Sequence, residues 1–464
     1  MIDKPSLRDD SLPQGDGRVN PPRRPVAVDL FAGAGGFSLG IEQAGFDVAV
    51  AIEHDPIHAA VYAFNFPHTK VLCADVAKLS GRDIQRAVRE WVTANPEFNV
   101  LSCQGVRQRK HSARSQIPID LVFGGPPCQG FSTIGKGQLD DERNTLVFEF
   151  CRLVKELQPR YFVMENVPGL RGSKYSSILE RLLSEFKSAG YEVTEPIQVL
   201  DASQFGVPQQ RRRLFILGTR AGSSPLGYPK PKLGEVLATA RKLPSRYITV
   251  KDAIADLPNL DDFAELYTTD CIQLSAAQLD QMHEKATLYV QMLRDLTVDP
   301  SNFAYSRWWN PTMLTNSIRT QHTETSIERF QNTPQGQIEP ISRLRRLDWY
   351  KPCHTLRAGT GSDRGAYTSP RPIHPDYPRV ISVREAARLH SFPDWFRCHI
   401  TKWHGFREVG NAVPPLLARA LGRQIMDVLD VKPLVPEISL DLGNPQLLRF
   451  SPLQASKYWR IQQS

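Results

Sequence analysis

The chain has no run near the roughly 20 consecutive apolar residues that a membrane span needs. It has no C-x-x-C pair, and its seven cysteines, Cys73, Cys103, Cys128, Cys151, Cys271, Cys353 and Cys398, are odd in number and widely spaced. That pattern argues against a disulfide framework and against a structural zinc site. The opening residues, MIDKPSLRDDSLPQGDGRVNPPRRP, lack the apolar core of a secretory signal. There is no internal repeat. The expectation is a soluble, reduced, cytoplasmic protein that needs no metal and no membrane.

What is present suits a globular chain of two domains. There are 464 residues, 41% of them hydrophobic, enough to bury a sizeable core. The net charge of +8 is compatible with a polyanionic partner. A mildly basic enzyme reads equally well from charge alone.

Residues 1–24 offer little to bury and read as a flexible tail. From Pro25 short apolar runs alternate with helical stretches. The runs are Val26–Phe31, Val48–Ile52, Ile119–Phe123, Tyr161–Met164 and Leu214–Leu217. The helical stretches are Leu39–Ala44, Pro56–Phe64, Leu146–Leu157 and Ser176–Ala189. The runs are too uniformly apolar for strands wetted on one face, so they suit a sheet covered on both sides. Alternation of this kind predicts an α/β, doubly wound sheet. A basic segment over 95–118 interrupts it. After Thr219 the rhythm stops, and 221–377 are irregular. Positions 251–300 carry ten acidic against three basic residues, whereas 301–377 carry ten basic against six acidic. A second domain fits there. Helical pattern resumes at Val383–His390 and Leu416–Val428.

The run VAVDLFAGAGGFSLG places Gly33, Gly35 and Gly36 between a strand and a helix, where backbone can approach a ligand closely. Glu53 ends the next strand twenty residues on, where an acidic side chain meets ribose hydroxyls in a nucleotide-binding unit. Ser38 stands where a dinucleotide fingerprint has its third glycine. This favours an adenosyl ligand without a pyrophosphate. Asp75, after the third strand, reads either as an acceptor for an adenine amino group or as a helix N-cap.

In IDLVFGGPPCQGFS a buried strand ends in two glycines and two prolines before Cys128. Prolines stiffen such a loop, and a thiol held there becomes a nucleophile if its pKa is lowered. The other six cysteines read as small buried hydrophobes. The run YFVMENVPGL ends on Glu165 and Asn166, on the same sheet edge. A carboxyl group there either donates a proton from a partly apolar site or is simply solvated. In VPQQRRRLFILGT, Gln209, Arg211 and Arg213 alternate and so share one face. They read as a grip on phosphate or base, or as a solvated basic edge.

Together, and in this order, these segments resemble the DNA (cytosine-5) methyltransferase family. DLFAGAGG is similar to its cofactor loop, GGPPCQGFS to its catalytic loop, ENVPG to its acid motif and QQRRR to its Q-x-R-x-R motif. RVISVREAARLHSFPDWF and REVGNAVPPLLARAL match its last two motifs, so the similarity runs from Val26 to about Ala420. The resemblance implies a Rossmann-like methyltransferase sheet with an inserted, smaller target-recognition domain. The implied parts are a catalytic domain over 25–220 and 378–431, a target-recognition region over 221–377 and a C-terminal extension over 432–464. Family-like sequence in Thr320–Pro375 narrows the specificity-determining part to about 221–315.

The implied reaction is methyl transfer from S-adenosylmethionine to C5 of a cytosine flipped out of double-stranded DNA, with Cys128 attacking C6. Glu165, Arg211 and Arg213 would complete the catalytic set. Phe31, Gly33, Ala34, Gly36, Glu53, His54, Asp75, Val76, Pro127, Asn411 and Val413 would hold the cofactor. Gln129, Ser132 and Gln209 would contact the substrate. His54 stands where many relatives have an aromatic residue. DNA contacts are expected on basic and aromatic residues from Tyr305 onward, with Arg343, Arg345 and Arg346 among them. The setting implied is a bacterial restriction–modification system. The enzyme would act as a nucleoid-associated monomer, with a cognate endonuclease acting separately. Rival readings are a tRNA cytosine-5 methyltransferase, a catalytically silent DNA-binding protein of the same fold, and a nucleotide-dependent oxidoreductase, against which the missing third glycine speaks.

Overall fold

A computed structural model describes residues 24–96, 117–127, 146–231, 247–359 and 371–462. The alternation read from the sequence becomes a central, mostly parallel sheet. Its strands are β1 (Val26–Leu30), β2 (Asp47–Glu53), β3 (Lys70–Cys73), β4 (Leu121–Gly124), β5 (Tyr161–Asn166), β6 (Tyr191–Val193), β7 (Gln198–Asp201) and β9 (Arg212–Arg220). A two-residue strand, β8 (Gln209–Gln210), precedes β9. The order is β3-β2-β1-β4-β5-β9-β6, with β7 also pairing β9. β9 runs antiparallel to β5, β6 and β7. The chain reverses direction across the sheet between β1 and β4, which is the crevice where such sheets bind ligands.

Helices α1 (Gly36–Ala44), α2 (Pro56–Asn65), α3 (Gly81–Ala94), α4 (Leu146–Leu157) and α5 (Ser176–Ser188) cover the sheet. Local chemistry starts several of them. Asp55 accepts from the Ile57 N–H at 2.9 Å to cap α2. Ser80 and Asp83 form a capping box on α3. α3 lies outside the alternation read from the sequence. Its charged face masks a buried stripe of Ile84, Ala87, Val88 and Trp91.

After β9 come α6 (Val250–Ile254), α7 (Ala276–Lys285), α8 (Leu288–Leu293) and α9 (Glu324–Asn332). Two small clusters form here, one around Leu260, Leu266 and Met282, the other around Phe330, Ile373 and Val380. The last helices are α10 (Val383–Leu389), α11 (Lys402–Asn411), α12 (Pro415–Leu429) and α13 (Pro452–Gln462). α12 lies against α1 with very little between them. A Cβ on Gly40 would sit 2.3 Å from the Pro415 carbonyl oxygen, and one on Gly422 would sit 2.6 Å from Ala44 Cβ. The C-terminal stretch is bound to the same body, since Trp459 Nε1 donates to the Pro56 carbonyl at 2.9 Å.

Candidate active site

Three structural features meet at the carboxyl ends of β1, β4 and β5. The first is the glycine loop after β1. Phe31 and Gly33 take left-handed φ values of 66° and 56°, and Gly35 reaches 100°. A non-glycine residue held there stores strain that only a supporting structure maintains. Glu53 supplies support. One carboxylate oxygen accepts from the Gly33 N–H and the other from the Asp55 N–H, both at 2.7 Å. A Cβ on Gly33 would have nothing within 4 Å, so the loop is open on that side. On the other side it is closed. A Cβ on Gly36 would lie 2.8–2.9 Å from Ala412, Phe392 and the Val413 carbonyl. Ala34, Val76 and Val413 are buried beneath. His54 and Asn411 are exposed, and Asp75 caps a turn through the Ala77 N–H at 3.0 Å.

Below the loop runs a buried polar chain. The Tyr62 hydroxyl donates to Ser38 Oγ at 2.8 Å, and Ser38 donates to Asp29 Oδ2 at 2.6 Å. Burial holds the Asp29 carboxyl well above the usual range. Its other oxygen is buried with no hydrogen-bond partner among the described residues.

The second feature is the root of the Pro-Pro-Cys loop. Gly124 lies so close to β1 that a Cβ would be 1.8 Å from the Leu30 carbonyl oxygen. A Cβ on Gly125 would lie 2.8 Å from Glu165 Oε2. Asn166 Nδ2 donates to the Pro126 carbonyl at 3.3 Å. The described chain reaches Pro127, so Cys128, Gln129 and Ser132 lie outside the described residues.

The third is the Glu165 carboxyl itself. Arg213 Nε approaches its Oε1 at 2.9 Å. Burial pushes this carboxyl up from its ordinary value, against the pull of Arg213 and Arg211.

Gln209, expected at the substrate, and Arg211, expected in the catalytic set, both have side chains closed off from solvent. Arg211 donates to the Leu356 carbonyl at 3.0 Å and the Gly410 carbonyl at 2.8 Å. Gln209 Nε2 lies 2.9 Å from His390 Nδ1, and its Oε1 accepts from the Leu356 N–H at 3.0 Å. His390 Nε2 in turn lies 2.9 Å from the Ala412 carbonyl. These residues bracket the base-side strand to the GNAVPP segment. Sequence reasoning passes over His390, where a polar residue inside an apolar helical pattern is the available signal.

Three of the residues expected to meet DNA, Tyr305, Arg307 and Arg346, are turned into the body. Tyr305 is buried, its hydroxyl donating to Asp47 at 2.8 Å. Arg307 is buried in a two-pronged pair with Glu42 at 2.9 Å. Arg346 donates to the carbonyls of Phe330, Gln331, Thr333, Pro375 and Asp376. These side chains saturate local acceptors and hold the fold. Arg343 remains exposed.

A nucleotide-type crevice with a strained glycine loop beside a buried carboxyl–arginine pair defines a Rossmann-like transferase. Comparison with known proteins makes this specific. The family model described as C-5 cytosine-specific DNA methylase matches residues 26–96 and 93–427, and the chain belongs to that family. It is 46% identical to the type II methyltransferase M.XorII of Xanthomonas oryzae, over 94% of this chain and 93% of that protein. It is 30% identical to M.DdeI of Desulfomicrobium norvegicum, over 86% and 88% of the two chains. A solved prophage-encoded DNA modification methyltransferase from E. coli superposes with a TM-score of 0.64 at 30% identity, covering 88% of this chain and 99% of that one. No group of side chains able to hold a metal ion occurs among the described residues, and none of their helices is long and apolar enough to cross a membrane.

Proposed function

We propose that the protein is the modification enzyme of a type II restriction–modification system, methylating C5 of a cytosine flipped out of duplex DNA. One observation carries this reading: the loop leading to Cys128 is rooted against the Glu165 carboxyl, which Arg213 holds. A duplex buries the target atom, so the base must leave the stack. C5 is a poor nucleophile until C6 is attacked, and a covalent step divides that barrier.

In this reading the Cys128 thiolate adds to C6. The Glu165 carboxyl, with its affinity for a proton raised by burial, hydrogen-bonds N3 and supports the adduct's charge. Arg213 orients that carboxyl. When bound, S-adenosylmethionine would supply the methyl group for C5. Loss of the C5 proton and of the thiolate then restores the ring. Phe31, His54, Asp75 and Asn411 would hold the cofactor on the open side of the Gly33 loop, which Glu53 braces. Gln209 and Arg211 serve as framework. Residues 221–377 are assigned to target recognition. The enzyme is assigned to the cytoplasm and the nucleoid as a monomer, with any cognate endonuclease acting separately.

The test is covalent trapping. Duplex DNA containing 5-fluorocytosine should form a denaturation-resistant complex with the protein and cofactor, and Cys128→Ala should abolish both trapping and methylation while cofactor binding persists. Bisulfite sequencing of DNA from expressing cells supplies the target. Labelled methyl transfer to tRNA but not to duplex DNA would overturn the reading.

A further inference from the structure

Residues 443–459, in the C-terminal extension, grip α2 at both of its ends. At the start of α2, Trp459 Nε1 donates to the Pro56 carbonyl at 2.9 Å. In its last turn, the Phe64 carbonyl accepts from the Gly443 N–H at 2.8 Å. The second approach is close, since a Cβ on Gly443 would lie 2.9 Å from the Ala63 carbonyl oxygen and from Phe64 Cα. Between the two grips, Leu447 and Leu448 are buried in the same cluster as Ala59, Ala60 and Phe64. Within α13 the buried residues are Ala455 and Trp459, whereas Leu453 and Ile461 are 80% and 64% exposed. Trp459 is therefore the anchor of that helix.

The two gripped ends of α2 are the ones that support the glycine loop. At the start, Asp55 directly precedes Pro56, caps the helix with its side chain and donates its N–H to Glu53. The other Glu53 oxygen holds the Gly33 N–H. At the far end, the Tyr62 hydroxyl reaches Ser38, and the Phe66 ring closes over Gly35, where a Cβ would lie 2.4 Å from it.

The same segment also holds the chain that leads into α11. The Leu448 carbonyl accepts from the Ile400 N–H at 3.1 Å, and the Phe450 carbonyl accepts from His399 Nε2 at 3.1 Å. α11 ends on Asn411, next to Ala412, which closes the loop over Gly36. One peripheral segment thus bonds to both elements that flank the loop. Phe31 and Gly33 sit at left-handed φ in that loop, a conformation that persists only while its surroundings are fixed. A site gains affinity when its groups are held in place before the ligand arrives.

We propose that residues 443–459 form a clasp that holds the glycine loop in its cofactor-binding conformation, with Trp459 as the positioning residue that acts through Pro56 and Asp55 on Glu53. The inference rests on the reading above that this loop takes S-adenosylmethionine. Trp459 touches no reacting atom. Its effect falls on cofactor affinity and not on the chemistry at C5.

The experiment measures binding of S-adenosylhomocysteine, the demethylated form of the cofactor, to the full-length protein by isothermal titration calorimetry. Trp459→Phe keeps an aromatic ring against α2 but removes the donor, and should weaken binding about three- to tenfold. Gly443→Ala loosens the other grip and should weaken binding by a similar factor, so the clasp remains testable if Trp459→Phe fails to fold. Ile461→Ser, on α13 beyond the clasp, should bind as the wild type does. In steady-state methylation, Trp459→Phe should raise the cofactor KM by the factor seen in calorimetry and leave kcat unchanged. Its affinity for duplex DNA, measured without cofactor, should also be unchanged. Wild-type cofactor affinity in Trp459→Phe, or in Gly443→Ala where that is the variant that folds, overturns the proposal. So does an equal loss in Ile461→Ser, or a loss of DNA affinity matching the loss of cofactor affinity, since either would mark general loosening. If the wild-type protein itself binds no S-adenosylhomocysteine, the cofactor reading has failed instead.

Discussion

Replacing His390 with phenylalanine probes the bracket that joins Gln209 of β8 to the Ala412 carbonyl. The imidazole is fully buried, and burial with the field of Arg211 holds its pKa well below the usual value. It is therefore neutral, so the Gln209 amide donates to Nδ1 and the Nε2–H donates to the Ala412 carbonyl. Phenylalanine would keep the stacking on Phe392, whose ring centroid lies 5.8 Å away at 17°. It could form neither hydrogen bond. Gln209 would retain its longer hydrogen bond to the Leu389 carbonyl at 3.3 Å, whereas the new side chain offers the Ala412 carbonyl no donor. A buried polar group left unsatisfied costs about 1–3 kcal/mol, and a weakened hydrogen bond adds up to about 1 kcal/mol. The expected loss is about 1–4 kcal/mol in urea denaturation at pH 7. His390→Gln, which carries both a donor and an acceptor, should recover part of it. Because Ala412 lies between Asn411 and Val413, cofactor affinity should fall in the phenylalanine variant and return with glutamine. A loss below about 0.5 kcal/mol in His390→Phe, or no recovery with glutamine, would refute the bracket.

Three further outcomes follow from packing and charge. Gly40→Ala should destabilise by about 1–3 kcal/mol, because the new methyl would meet the Pro415 carbonyl and the Arg419 N–H at 2.3 and 2.7 Å. A denaturation midpoint equal to wild type would show that α1 and α12 separate freely. Arg388→Met should cost about 3–5 kcal/mol. It strands Asp256, bonded to Arg388 at 2.6 Å, and leaves Asp394, bonded at 2.7 and 2.8 Å, with only the more distant Arg384 and Arg294 at 3.6 and 3.7 Å. Recovery of stability in Arg388→Met on adding Asp256→Asn would support that origin, and no recovery would count against it. Glu408 provides a pH test. Burial, only partly offset by His58 and the His399 N–H, pushes its carboxyl up to about 7 from 4.5. A raised folded value means that its stabilising contribution is full below 4.5 and is lost as pH rises towards 7. Glu408→Gln should therefore gain on wild type by about 3 kcal/mol between pH 4.5 and 8. A pH-independent difference would remove the argument.

Much of the sheet was legible because its strands are buried on both faces, and a strand covered twice writes itself as an unbroken apolar run. β1, β2, β4, β5 and β9 each coincide with such a run. α3 was not legible because Arg82, Asp83, Arg86, Arg89 and Glu90 surround a narrow apolar stripe. β6 and β7 are short and partly exposed, so they have no period to detect. The glycine loop and the ends of β4 and β5 were readable because glycine and proline at strand ends restrict the backbone locally. The roles of Gln209 and Arg211 were not. Strand alternation says that side chains share a face, but not whether that face meets water or another segment.

The sequence alone determined the alternation of the doubly covered strands with their helices, the strand-end position of Glu165 and the family's motifs, because all of these depend on local backbone preference and on residue spacing. Only the tertiary structure decided which arginines are spent. Arg211, Arg307, Arg346 and Arg388 look the same as Arg213 or Arg345 in a string of letters. They differ because distant carbonyls and carboxylates close around them in the fold, and a guanidinium buried among such partners is out of a ligand's reach.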